Sequence, residues 1–120
     1  MKALEERTKE LRQQYARTLP RFVAEIGRMM VLKVPRADLL HQFHSLAGSA
    51  GTFGYEEIAT LAWEAEHILS SNSAPEITPG ELGRLTSRMV HLTEVLSRTL
   101  EVVDESPNAT WSTFEGGGVV

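Results

Sequence analysis

The sequence predicts an all-α domain, an antiparallel four-helix bundle with a short or bent extra helix at its N-terminus. Three observations carry that reading. Apolar residues recur at helical spacing in successive segments between Leu4 and Leu100. No segment alternates with period two over a strand's length, except weakly at the extreme C-terminus. Most connections are short, which makes consecutive helices antiparallel neighbours.

From Lys2 to Tyr15 the chain is rich in good helix formers, and Glu6 to Glu10 with Arg7 and Arg12 fits an exposed, charge-laced face. Leu4, Leu11, Tyr15, Leu19 and Phe22 follow one another at spacings of seven, four, four and three. Pro20 does not fit inside one continuous helix. Either the chain bends there, or one helix ends near Arg17 and a second begins with Thr18 as cap and Pro20 in its first turn. The second segment runs through Val34, burying Phe22, Val23, Ile26, Met29, Met30 and Leu32, and Pro35 ends it. A third helix begins near Pro35, turns Leu39, Leu40, Phe43, Leu46, Ala50 and Phe53 inward, and stops at Gly54.

"YEEIATLAWEAEHIL" restarts the helical period, with Ile58, Leu61, Ala62, Ala65, Ile68 and Leu69 in its apolar stripe. "SSNSAPEITPG" is the one internal loop with turn chemistry along most of its length. It closes on a start signal, Thr78 as N-cap, Pro79 at the first helical position and Glu81 at the third, which together form a capping box. The last helix presents Leu82, Leu85, Met89, Leu92, Val95, Leu96 and Leu100 and runs to about Val103. The bundle thus spans 1–103, and 104–120 reads as a C-terminal tail or linker that loses the period and gains turn residues.

Composition narrows the function. At 120 residues, 42% hydrophobic and 23% charged, the chain is one globular domain with a core of its own. It has no cysteine, which excludes disulfides, thiolate metal sites and a cysteine nucleophile and suits a reducing cytoplasm. The formal charge of -4 comes without a basic tract, so nucleic acid and anionic membrane are not expected partners. No apolar run approaches the ~20 residues of a spanning helix, and "MKALEERTKE" is not a secretory signal.

Function must then come from a local site, and "HSLAGSAGTFGY" (44–55) is the unusual stretch. Gly48, Gly51 and Gly54 fall within seven residues, and each interior glycine costs roughly 1 kcal/mol against alanine. At about 100° per residue, Leu39, Phe43, Leu46, Ala50 and Phe53 point to the core, and His44 lies roughly 130° to 140° away. His41 stands one turn before His44, Gly48 one turn after it and Gly51 two turns after it. Two glycines on the outer face leave a flat patch where another protein can approach an exposed imidazole closely. Such an imidazole is a nucleophile that needs no buried base. Glycines in a helix also let a neighbouring helix cross closely.

The string "FHSLAGSAGTFGYEEIATLAWEAE" resembles the histidine phosphotransfer (HPt) domain family, including the related phosphorylated domain of chemotaxis histidine kinases. His44, Leu46, Gly48, Ala50 and Gly54 occupy the positions of that family's signature, and the helix order fits over roughly 5 to 102. The resemblance implies a four-helix bundle with His44 facing solvent midway along a central helix. It implies that His44 accepts a phosphoryl group from a receiver domain's aspartyl phosphate, or from a histidine kinase, and passes it to another receiver aspartate. The domain would hold no catalytic machinery or cofactor of its own, with the acid residues and Mg²⁺ supplied by the receiver. Gly48 would keep the space beside the ring open. One position departs: the family's usual lysine three residues after the histidine is Ala47. That removes a cation worth about 1 to 3 kcal/mol at most and less when exposed, which tunes phosphohistidine lifetime without abolishing transfer.

Other side chains offer less. His41 and His44 form an H-x-x-H pair without a third ligand on their face, so no metal site is expected. His67 and His91 sit beside apolar positions as surface or boundary residues. Glu5, Glu6, Glu64 and Glu66 show no convergent partner, so acid–base enzymology is unsupported. Trp63 is expected at the bundle boundary, and Trp111 in the tail could dock on the bundle or on a neighbour. Arg84 and Arg88 share a face, either as phosphate ligands near His44 or as solvated surface, the second being favoured.

The expected function is therefore a cytoplasmic, monomeric phosphorelay carrier, compatible with a place in a larger multidomain protein. His44 is the phosphoacceptor, and His41, Ser45, Ala47, Gly48 and Gly51 form the face that docks a response-regulator receiver domain or histidine kinase. The competing class is a non-catalytic helical interaction or dimerisation module whose glycine patch packs another helix.

Overall fold

The computed structural model describes residues 2–104 and is all-α over them, with no strand among the described residues. Five helices follow in order: α1 (Lys2–Ala16), α2 (Leu19–Val31), α3 (Arg36–Thr52), α4 (Glu56–Ser70) and α5 (Pro79–Asp104). The last four form the bundle, a ring in which α3 packs on α4, α4 on α5, α5 on α2 and α2 on α3. Leu19, Ile26, Leu39, Phe43, Leu46, Ile58, Leu69, Leu85 and Leu92 fill its centre with essentially no exposure. The tail reading, Trp111 included, lies outside the described residues.

Pro20 separates two helices. Arg17 and Thr18 make the turn, and Pro20 sits in the first turn of α2, where its missing N–H costs nothing. Thr18 occupies the cap position but does not cap by its side chain. Its backbone is right-handed helical, and its hydroxyl instead donates back to the Tyr15 carbonyl at 2.7 Å.

The N-terminal apolar spacing overstates burial. Leu4 is 64% exposed and Leu11 40%, because α1 is held through its C-terminal half. There Tyr15 stacks on Phe53 with centroids 4.6 Å apart, and its hydroxyl meets Ser49 Oγ at 2.7 Å. Arg12 Nε donates to the Phe53 carbonyl at 2.7 Å, and the Tyr55 hydroxyl donates to the Arg12 carbonyl at 2.9 Å. Phe53 and Tyr55 thus fasten α1 to the end of α3.

The second helix stops at Val31, three residues before the expected Val34, and Leu32 is exposed rather than buried. Lys33 adopts φ 57, the left-handed conformation that closes a helix, and the Val34 N–H returns to the Met29 carbonyl at 3.2 Å. Gly54 does the same for α3 with φ +83, and the Tyr55 N–H returns to the Ala50 carbonyl at 2.8 Å.

At the opposite end the capping box forms. The Thr78 N–H donates to Glu81 Oε1 at 2.9 Å, and the Glu81 N–H donates to Thr78 Oγ1 at 3.1 Å. The same carboxylate takes two bonds from Arg36, at 2.6 Å and 2.9 Å, and both residues are buried. Arg36 also donates to the carbonyls of Leu69, Ala74 and Glu76. One guanidinium thereby ties the start of α3 to the end of α4, the 71–78 loop and the start of α5. Arg36 holds the Glu81 carboxyl down at about 2, helped by the Thr78 N–H.

Candidate functional site

His44 stands at the midpoint of α3, because the inward stripe Leu39, Phe43, Leu46 and Ala50 is fully buried and turns the histidine outward. Its side chain is 69% exposed. The neighbours expected around it are in place: His41, Gly48 and Gly51 are exposed, and Ser45 and Ala47 are half-buried. The two glycines differ in what surrounds them. A Cβ on Gly48 would meet nothing within 4 Å, whereas one on Gly51 would lie 3.9 Å from the Ala59 methyl of α4. Gly48 therefore opens onto solvent, and Gly51 lies at the α3–α4 seam.

Only three residues, Phe53 to Tyr55, join α3 to α4, so the two helices form a tight antiparallel hairpin with a fixed register. Gly51 faces Ala59, Ala47 shares a groove with Trp63, and His44 meets Glu66. That last contact corrects the reading of Glu66 as partnerless. Its Oε2 lies 2.8 Å from His44 Nδ1, and the carboxylate is itself largely sheltered. An ionised carboxylate only accepts, so Nδ1 carries the proton and donates it. In the neutral imidazole the lone pair then resides on Nε2, which makes no hydrogen bond among the described residues.

Glu64, two residues away, points to the other side of α4. Its Oε1 lies 2.8 Å from Arg88 Nε on α5, so Arg88 is committed there rather than solvated or aimed at His44. Arg84 is exposed, and so is His91, which lines the α4–α5 groove with Glu64 and Arg88. Trp63 is 57% exposed, further out than a boundary residue, and its ring stacks on His67 at 5.3 Å. Among the described residues, no group of three or more His, Asp or Glu side chains is placed to hold a metal ion. No helix among them is long and apolar enough to cross a membrane.

Comparison with known families agrees with this geometry. The family model described as "Hpt domain" matches residues 10–102. The chain belongs to the Hpt domain family. Among curated proteins and solved structures, nothing matches significantly. An Hpt domain is a histidine phosphotransfer carrier of two-component phosphorelays, a family that works with receiver domains and histidine kinases rather than as a catalyst. The matched span takes in the bundle and the half of α1 that Tyr15 and Arg12 fasten to it. In this Hpt domain the residue that sequence reasoning missed is Glu66. Its signal was the α3–α4 register, which a three-residue link with Gly54 at its centre makes readable once the helix ends are known.

Proposed function

We propose that His44 is the phosphoacceptor of this Hpt domain, taking a phosphoryl group from a receiver's aspartyl phosphate, or from a histidine kinase, and delivering it to another receiver aspartate. The contact between His44 Nδ1 and Glu66 carries the reading, since it leaves a lone pair on an exposed Nε2. That lone pair attacks phosphorus in line, and the P–O bond to the donor aspartate breaks with its electron pair leaving on the carboxylate. The ring that results bears phosphorus on Nε2 and hydrogen on Nδ1, hence a positive charge, which the Glu66 carboxylate faces. Return transfer runs the same steps backwards, with the acceptor carboxylate as nucleophile.

The domain's own part is positioning. Mg²⁺ and the acidic residues that stabilise the migrating charge belong to the receiver, and His41, Ser45, Ala47, Gly48 and Gly51 form the face on which it docks. On this reading the domain works in the cytoplasm as a monomer. The test is transfer from a phosphorylated receiver to the chain and to its His44→Gln variant, scored as acid-labile, alkali-stable phosphate. Labelling of the parent chain and none of the variant is the expected result. Labelling that persists in the variant overturns the assignment, and a chain that is never labelled while Gly48→Leu breaks its self-association returns the interaction-module reading.

A further inference from the structure

We infer that the chain's own C-terminal segment returns along α5 and seats Phe114 in the apolar groove between α2 and α5, with Trp111 at the near end of that groove. Gly27, Met30 and Val31 of α2 and Leu82, Thr86 and Met89 of α5 line it, around a volume of about 370 Å³. Met30, Leu82 and Met89 are half-buried and Val31 is 79% exposed, so apolar surface stands open here that the core does not use. Gly27 makes the room. A Cβ there would lie 3.9 Å from the Met89 terminal methyl, an ordinary contact, and a longer side chain would grow into the space that Gly27 lines. In the ring of helices the α2–α5 seam lies across from the α3–α4 seam, so an occupant leaves His44 uncovered.

The occupant follows from reach, order and charge. Beyond the groove α5 runs on to Asp104, about 22 Å past Met89 and about 33 Å past Leu82 at 1.5 Å per residue. Trp111 and Phe114 are the aromatic residues that follow, seven and ten positions later. Seven residues span at most ~23 to 25 Å and ten ~33 to 36 Å. Trp111 therefore reaches the level of Met89 at full stretch, and Phe114 reaches Thr86 with chain to spare. A segment returning in that direction meets the groove in chain order, Trp111 first, then Phe114, then Glu115. Lys33, just past the end of α2, lines the end of the groove nearest Leu82, where Glu115 arrives with the opposite charge.

Tethering favours this occupant over a separate one. A linked segment meets its groove at roughly millimolar effective concentration, so a single seated ring suffices. A second copy has no such advantage, and a stable dimer uses about 20 to 30 residues a side, far more than line this groove. Residues 105–120 also lie beyond the family match, which ends at residue 102.

The experiment reads the methionine methyl signals of the full chain by NMR after carbon-13 methyl labelling. An aromatic ring in the groove shifts the methyls of Met30 and Met89, while Met29, turned into the core, is the control. Phe114→Ala is expected to remove that shift at Met30 and Met89 and to leave Met29 in place. Gly27→Leu, which fills the groove from α2, is expected to raise acrylamide quenching of Trp111 severalfold, read in a Trp63→Phe background where Trp111 is the one indole. Met30 and Met89 signals that Phe114→Ala leaves unchanged overturn the inference. A shift that grows with protein concentration also overturns it, since the ring then comes from a second copy. So does movement of Met29 together with the other two, because the substitution then acts on the bundle as a whole.

Discussion

Replacing Gly48 by alanine should stabilise the domain and slow it. Gly48 lies inside α3, where glycine costs about 0.8 to 1.0 kcal/mol relative to alanine, and the added Cβ would meet nothing within 4 Å. No strain offsets the gain, so the melting temperature of a domain this size should rise by about 4 to 8 °C per kcal/mol. On the proposed docking face, the same methyl would stand where a receiver packs. Overpacking costs at least about 1 kcal/mol, which is roughly a fivefold slower transfer. Gly83 on α5 is the internal control, because a Cβ there also meets nothing within 4 Å. Gly83→Ala should gain comparable stability and leave the transfer rate alone. The assay is thermal unfolding by circular dichroism beside receiver-driven phosphorylation of the three chains. Equal transfer rates in the two variants would refute the docking role of Gly48, and an unchanged melting temperature in both would refute the accounting for helix propensity. Gly54→Ala should instead destabilise by about 1 to 2 kcal/mol, because its φ of +83 is left-handed.

Glu66→Gln keeps an acceptor for Nδ1 but removes the charge facing the phosphorylated ring; an exposed pair of this kind is worth about 0.5 to 1 kcal/mol, so phosphoramidate labelling should slow two- to fivefold, and an unchanged rate would exclude charge as its role. Glu81 titrates from about 2 in the folded chain against 4.5 as its ordinary value, so its stabilising effect is complete above 4.5 and disappears as pH falls through about 2. Glu81→Gln, which keeps the cap but leaves the Arg36 charge buried without its counterion, should melt below the parent at pH 7 and converge on it near pH 2; parallel curves across that window would disprove the coupling. Ala47→Lys places a cation one turn from the proposed phosphorylation site and should lengthen phosphohistidine lifetime by up to about fivefold, measured as loss of label after donor removal; an unchanged lifetime would show that the phosphate is solvated without help from that position.

The inward and outward faces of α3 are legible in the sequence because they depend on a local rule, 100° per residue, applied to a run whose apolar members are unambiguous. The same holds for the Thr78–Glu81 capping box and the stop at Gly54, where one residue type answers one backbone need. What escaped depends on neighbours far along the chain. Arg36 follows Pro35 as an ordinary polar helix start, and only the folded bundle brings Glu81, 45 residues later, into its reach. Lys33 closes α2 in a conformation that its side chain gives no hint of. Leu4 and Leu11 keep the period without a partner to bury them, so periodicity alone overstated the core. At the site, the outward placement of His44 was readable and its contact with Glu66 was not, since a carboxylate on an exposed face has no meaning until the register of two helices is fixed.

That register also explains how a helix weakened by glycines can hold an exposed imidazole in a fixed place. His44 lies eight residues from each end of α3, and both ends are fastened from outside the helix. At the first, Arg36 is bonded to Glu81 and to three carbonyls; at the second, Arg12, Tyr15 and Tyr55 clamp the turn around Gly54. Between them, Phe43 and Leu46 are locked in the core directly beneath the histidine. Stabilisation placed at the ends and on the buried side leaves the outer face free of structural duty, so Gly48 can stay bare where a side chain would be cheaper for the helix. The imidazole then needs only one further restraint, its orientation, and the Glu66 carboxylate supplies that from α4 without covering Nε2.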